Sequence, residues 1–405
     1  MTSLFNRSDF PMLRRTVHGK PLVYLDSAAT ALKPSCVIDA MTHFYQTSYA
    51  TVHRGAYELS LESSALFHEV REKVRAFLGA EDVSEIVFTR GTTEGINLVA
   101  RSYGDSYIKA GDEIVISGQE HHANLVPWQL LCERVGATLK VITLKENGEW
   151  DLESASNIIT PRTKLVAITH VSNVLGIMNP IQEVITLAHQ VGAKVLVDAA
   201  QSAVHHPLDV KELNCDFLVF SAHKLYGPTG VGILYGKQEC LEMMPPYQGG
   251  GDMIQTVSFE KTTYQAPPLR FEAGTPMIAE VIGLGPALDY LKGHSYGDLH
   301  EHEKRLINEV YSRLGSDIHV LGPKDQKGSL ITFTVPGVHP LDLATMLDIQ
   351  GIAMRSGHLC AQPLLNHFGL KEAIRLSVAP YNTLDEMVYF CDTFKKVISQ
   401  LRPLS

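Results

Sequence analysis

The sequence contains no C-x-x-C pair, and its six cysteines (Cys36, Cys132, Cys215, Cys240, Cys360 and Cys391) are scattered along 405 residues. Such spacing forms neither a disulfide framework nor a zinc or iron–sulfur cage, so any cysteine chemistry belongs to a single thiol. No stretch approaches the roughly 18 unbroken apolar residues that a membrane helix requires, and the opening MTSLFNRSDFPMLRR lacks the apolar core of a secretory signal. A cytoplasmic protein with no membrane partner is therefore expected. Blocks of like charge are also missing: 35 basic residues face 44 acidic ones, for a formal net charge of -9. Nucleic acid is not expected as a partner.

Two motifs can be set aside. GVGILYGK has three residues between Gly232 and Gly236 and Gln238 after Lys237, whereas a phosphate loop needs four residues between its glycines and Ser or Thr after its lysine. The histidine-rich strings HH, HEHE and HLCAQ lack H-E-x-x-H or comparable ligand spacing, so no metal is expected, and His300 and His302 read as residues of a solvated helix.

From about residue 85 to 235, short β-branched runs alternate with helical patterns: EIVFTR, DEIVISG, ATLKVITL, KLVAITHVSN, AKVLVDAAQS, DFLVFSAHK and VGILYG. This rhythm predicts an α/β fold, a mostly parallel seven-stranded sheet flanked by helices. In IQEVITLAHQVGAKVLVD the apolar residues Ile181, Val184, Ile185, Ala188 and Val191 recur at helical spacing, Gly192 stands at a C-cap, and a strand ends on Asp198. Past the Gly249–Gly251 run the rhythm changes. SLITFTV, IAMRS and a terminal helix from about Asp385 predict a smaller α+β domain. The expected division is 21–285 for the large domain, and 286–405 with 1–20 for the small one.

Ligands of open α/β sheets bind beyond the carboxyl ends of the strands, which directs attention to His121, Asp198, Lys224 and Cys360. A lysine there can form a Schiff base with an aldehyde, and pyridoxal phosphate is the aldehyde cofactor that serves as an electron sink. Its ring nitrogen calls for an aspartate, and its phosphate for hydroxyls and a helix N-terminus. Asp198 supplies the first, and Thr92–Thr93 in RGTTEGIN with Ser221 and His223 beside Lys224 supply the second.

With these parts in view the chain resembles the fold-type I pyridoxal phosphate enzymes, class V aminotransferase-like, and more narrowly the cysteine desulfurase and selenocysteine lyase family of the sulfur-mobilisation type, group II. The likeness runs through LDSAATALKP, VHRG, RGTTEGIN, EHHANLVPW, HVSNVLG, VDAAQS, SAHKLYGPTGVGILYG, GGGDMI, FEAGTP and RSGHLCAQP. The resemblance implies that Lys224 is the Schiff-base lysine, Asp198 the ring-nitrogen partner, and Gln201 the partner of the ring hydroxyl. It implies that His121 stacks on the ring and relays protons. Thr93, Ser221 and His223 would hold the phosphate, together with Thr275 from a second subunit, which makes a homodimer part of the site. Asn173 and Arg375 would bind the substrate, assisted by Arg355. Cys360 would take sulfur from L-cysteine as a persulfide, leaving alanine, and pass it to an acceptor protein for iron–sulfur cluster assembly or a related use. Related enzymes often carry a second histidine where this chain has Leu359. The alternatives weighed are selenocysteine lyase, an aminotransferase-like or epimerising enzyme with an incidental Cys360, and a cofactor-binding scaffold.

Overall fold

The structure is a computed structural model describing residues 3–325 and 327–402. The outermost limits of the expected small domain, 1 and 405, lie outside the described residues. Strands β1 (Ile86–Thr89), β2 (Glu113–Ser117), β3 (Thr138–Ile142), β4 (Thr163–Thr169), β5 (Lys194–Asp198), β6 (Phe217–Ser221) and β7 (Gly232–Gly236) form one sheet in the order β1-β7-β6-β5-β4-β2-β3. Strand β7 runs antiparallel to both neighbours, and the other six strands are parallel. Every residue of β2, β6 and β7 is buried, and the apolar runs at their centres are what strands covered on both faces require.

Helices α1 (Thr92–Val99), α2 (Val126–Val135), α3 (Ile181–Gln190) and α4 (Ile278–Lys292) belong to this unit. Helix α3 buries Ile181, Val184, Ile185 and Ala188, the stripe read from the sequence. The chain leaves it through Gly192 at φ +77, a left-handed turn that glycine makes without strain. Gly232 answers a different need: a Cβ there would lie 2.3 Å from Gly91 Cα, so side-chain-free backbone lets β7 pass under the loop that opens α1.

The second unit is a four-stranded antiparallel sheet of β8 (His319–Val320), β9 (Leu330–Thr334), β10 (Arg355–Gly357) and β11 (Ala373–Ser377), in the order β8-β9-β11-β10. It shares an apolar core with α5 (Tyr296–Leu314) and α6 (Leu384–Leu401). A Thr383–Glu386 capping box opens α6 and satisfies backbone N–H groups at the helix start.

The packing departs from the expected division in two places. The 285/286 limit falls inside α4, whose Ile282, Leu284, Ala287 and Leu288 all bury in the core of the large sheet. Residues on both sides of the limit, through Leu291, share that one core, so this helix packs with the large sheet along its length. The N-terminal segment also joins it: Phe5 and Phe10 are fully buried there, with Phe5 edge-on to Tyr226 and Tyr290. By contrast, Val23 and Leu25 bury in the small core, so the chain crosses between the units just before the cavity-lining Ala28 and Ala29. His300 is exposed on α5 as expected, whereas His302 is half-buried and bonded to the Asn382 carbonyl at 3.0 Å. No helix among the described residues is long and apolar enough to cross a membrane.

Candidate active site

Strands β6, β5, β4 and β2 are consecutive and parallel, so their carboxyl ends open on one edge of the sheet. Beyond that edge lies a cavity of about 460 Å³ lined by His121, Asn173, Asp198, Gln201, Lys224 and Cys360, among others. Thr92, Thr93, Ser221, His223, Arg355 and Arg375 also line it. The tertiary structure thus gathers residues from 28 to 375 around one space of the size that holds a small ligand.

Lys224 ends a single 3₁₀ turn after β6. Three donors converge on the carbonyl just before it: Ala31 N–H at 3.0 Å, Lys33 Nζ at 2.7 Å and Thr30 Oγ1 at 3.3 Å all bond His223 O. The lysine backbone is therefore pinned while its side chain enters the cavity. Burial lowers its pKa to about 8, with Asp198 acting against this and Arg375 adding to it. An amine so tuned can give and take a proton near neutral pH.

Asp198 is the last residue of β5 and is buried. Its Oδ1 accepts from Ala200 N–H at 2.9 Å, and burial raises its pKa. Gln201 is buried with Nε2 donating to Ala28 O at 2.9 Å. His121 caps its own short helix: Nδ1 accepts from Ala123 N–H at 3.0 Å, which leaves the proton of the neutral ring on Nε2. Burial and the nearby Lys224 lower its pKa to about 4, so it is neutral at pH 7.

Thr92 and Thr93 begin α1 and divide their labour. The Thr92 hydroxyl and N–H both bond Ser221 Oγ, at 2.7 and 2.8 Å, which locks the loop to β6, and Thr93 is the exposed one of the pair. His223 has its pKa lowered to about 4 by burial and by Lys224 and Lys33, so it offers an anion a hydrogen bond and no full charge. A surface concavity of about 430 Å³ shares Thr92, Thr93, Ser221 and His223 with the cavity.

On the opposite wall, Arg375 of β11 is 2% exposed. Its Nη1 donates to Asn173 O at 3.0 Å and its Nη2 to Asp26 Oδ1 at 3.2 Å, while Nε is buried without a partner. Arg355, its register partner on β10, reaches the other oxygen of Asp26 at 3.8 Å. Cys360 is exposed at the cavity edge on the loop after β10. His122, His358 and Cys360 bring ligand atoms within 4.8 Å of one another. However, His122 Nε2 accepts from Gln362 N–H and His358 Nδ1 from Cys360 N–H, both at 3.1 Å, so these two ring nitrogens are already engaged by backbone donors of the loop.

With this geometry in place, the sequence profile of the class-V aminotransferases matches residues 23–390. The chain belongs to the class-V aminotransferase family. It is 52% identical over 384 residues to a cysteine desulfurase of Escherichia coli O8 (strain IAI1), covering 94% of each chain, and as similar to one from Shigella sonnei (strain Ss046). Its fold matches the cysteine desulfurase CsdA of Escherichia coli with TM-score 0.91 and 41% identity, over 98% of this chain and 99% of that one. It matches the cysteine desulfurase of Thermococcus onnurineus NA1 equally well, with TM-score 0.91 and 37% identity over 99% and 100% of the two chains.

The donor set fits the pyridoxal phosphate on which class-V aminotransferases depend. A buried carboxylate, a lysine of lowered pKa and a helix start with a free threonine stand around one cavity, and a buried guanidinium N–H still lacks a partner. Thr275 is the expected site residue that stands apart: it is exposed and does not line the cavity of its own chain. Leu359 is 5% exposed, packed with Val174, Leu175 and Leu364, so it contributes apolar anchorage and no proton chemistry.

Sequence reasoning missed four residues that shape this family site. Asp26 and Lys33 both stand in the LDSAATALKP string, but what they hold lies far along the chain, and nothing in the string shows that they reach Arg375 and the His223 carbonyl. Glu120 accepts from Asn124 Nδ2 at 2.6 Å and Thr169 N–H at 3.0 Å, fastening the His121 segment to β4. Its signal was available, as the first letter of EHHAN. His122 was visible beside His121, but its ring turns to the Cys360 loop.

Proposed function

We infer that the protein is a pyridoxal phosphate-dependent cysteine desulfurase that converts L-cysteine to L-alanine and holds the sulfur as a persulfide on Cys360. The observation that carries this reading is the exposed thiol of Cys360 on the edge of the cavity that holds Lys224 and Asp198.

In this reading, bound pyridoxal phosphate supplies an electron sink for the pair released when the substrate loses its α-proton. Lys224 would anchor the cofactor and move that proton, for which its pKa of about 8 suits it. Asp198 would hold the proton of the ring nitrogen, Gln201 would bond the ring hydroxyl, and neutral His121, with Nε2–H as donor, would stand beside the ring. Thr93, Ser221 and His223 would hold the phosphate. Arg375 offers its spare N–H groups to the substrate carboxylate, with Asn173 and Arg355 beside it. The Cys360 thiolate attacks the substrate sulfur: an S–S bond forms as the substrate C–S bond breaks, and the electron pair stays with the carbon, which takes up a proton to become alanine.

The open phosphate end of the cavity supports a homodimer in which Thr275 of each chain completes the other's site. A nucleophilic thiol on an exposed loop works in a reducing compartment, which is why we place the enzyme in the cytoplasm, passing sulfur to an acceptor protein of iron–sulfur cluster assembly or a related pathway. The test is mass spectrometry of the cofactor-loaded enzyme after cysteine addition. A persulfide on Cys360, alanine release, and loss of both in Cys360→Ala are expected; full alanine and sulfide production by Cys360→Ala refutes the mechanism.

A further inference from the structure

Cys360 stands on a loop that its backbone alone does not favour. Leu359 and Cys360 are consecutive residues at φ +54 and +55, a region that non-glycine residues occupy only where their surroundings hold them. The hold comes from three sides. Leu359 buries its side chain in the apolar cluster of Val174 and Leu175, and its carbonyl accepts from Asn173 Nδ2 at 2.9 Å. His358 Nδ1 accepts from Cys360 N–H at 3.1 Å. His122 adds two further contacts from the large unit: its backbone N–H donates to Cys360 O at 2.8 Å, and its ring Nε2 accepts from Gln362 N–H at 3.1 Å.

We propose that His122 is a positioning residue for sulfur transfer, its ring latching the Cys360 loop to the segment that carries His121 so that thiol and cavity stay in register. The role rests on the reading of Cys360 as sulfur acceptor. Adjacent histidines then serve opposite sides of one segment. His121 uses Nδ1 to cap the short helix and faces the cavity, while His122 uses Nε2 to hold the loop. The ring does this as a hydrogen-bond acceptor, so a glutamine, whose Oε1 can meet the same N–H, should replace it, and an alanine should not.

The test compares the cofactor-loaded parent, His122→Ala and His122→Gln in a single turnover with cysteine, timing persulfide formation on Cys360 by mass spectrometry. Amide hydrogen exchange over residues 357–362 is measured on the same samples without substrate. His122→Ala is expected to slow persulfide formation about threefold to tenfold, the size of one lost hydrogen bond, with KM for cysteine and the cofactor's visible absorption unchanged. Exchange at Gln362 should quicken, and His122→Gln should recover most of both effects. Equal rates in His122→Ala and the parent, equal losses in both variants, or a change confined to KM or the cofactor spectrum overturns the role. A parent that forms no persulfide on Cys360 overturns the acceptor reading instead, and the exchange comparison still decides whether the latch exists.

Discussion

Replacing Arg375 with lysine keeps the positive charge on the cavity wall and removes the fork. The arginine is 2% exposed and already spends Nη1 on Asn173 O and Nη2 on Asp26 Oδ1, with Nε buried and unpartnered. A guanidinium can satisfy both anchors and still present parallel N–H groups to a carboxylate; a single ammonium on a flexible stem cannot. The loss is then about one charge-assisted hydrogen bond to the substrate, about 1.5–3 kcal/mol, or about 10-fold to 150-fold in kcat/KM. Because the carboxylate takes no part in bond breaking, most of the loss should fall on KM. The assay is steady-state alanine release from L-cysteine, with persulfide formation at saturating substrate as the control for folding. A kcat/KM within about threefold of the parent, or a loss confined to kcat, refutes the assignment of Arg375 as carboxylate binder.

Arg71→Met should be strongly destabilising: the guanidinium forms a fork with both oxygens of Glu272 at 2.7 and 2.8 Å, each side chain 5% exposed, and stacks 4.4 Å from the Phe88 ring. Stranding Glu272 costs about 3–5 kcal/mol, and adding Glu272→Met should restore part of it; a thermal midpoint unchanged in the single variant counts against this. Burial holds the pKa values of His121, His170 and His223 at about 4 and that of His206 at about 3, below the ordinary 6.5. Between those values the unfolded chain binds more protons, so this stability is fully present above about pH 6.5 and lost as pH falls toward 4. The urea midpoint should drop from pH 7.5 to 5, with a shallower drop in His206→Gln; an equal or higher midpoint at pH 5 would show the sign to be wrong.

Much of the sheet could be read from the chain because its physics is local. Buried parallel strands are short apolar runs, and helices such as Ile181–Gln190 repeat their apolar residues every turn, so seven strands and their intervening helices are legible one by one. The division between units was less legible. Ile278–Lys292 is apolar nearly all round, with no polar face to show where its core ends, and the 285/286 limit consequently fell within it. Phe5 and Phe10 lie far from Tyr226 and Tyr290 in sequence, and nothing local indicates that they meet.

At the site, the sequence by itself determined which side chains could carry the proposed chemistry, Lys224 and Asp198 by their place at strand ends and His121 and Cys360 by the motifs of the family resemblance. Only the tertiary structure decided how the residues are held. Convergence of Ala31, Lys33 and Thr30 on the His223 carbonyl depends on contacts about 190 residues apart in the chain. So does the pairing of Arg375 with Asp26, and the seating of Leu359 and Cys360 in a left-handed turn that His122 and Asn173 restrain. Side-chain chemistry is a property of the residue and survives in the letters; position, burial and the choice of which lone pair remains free belong to the fold.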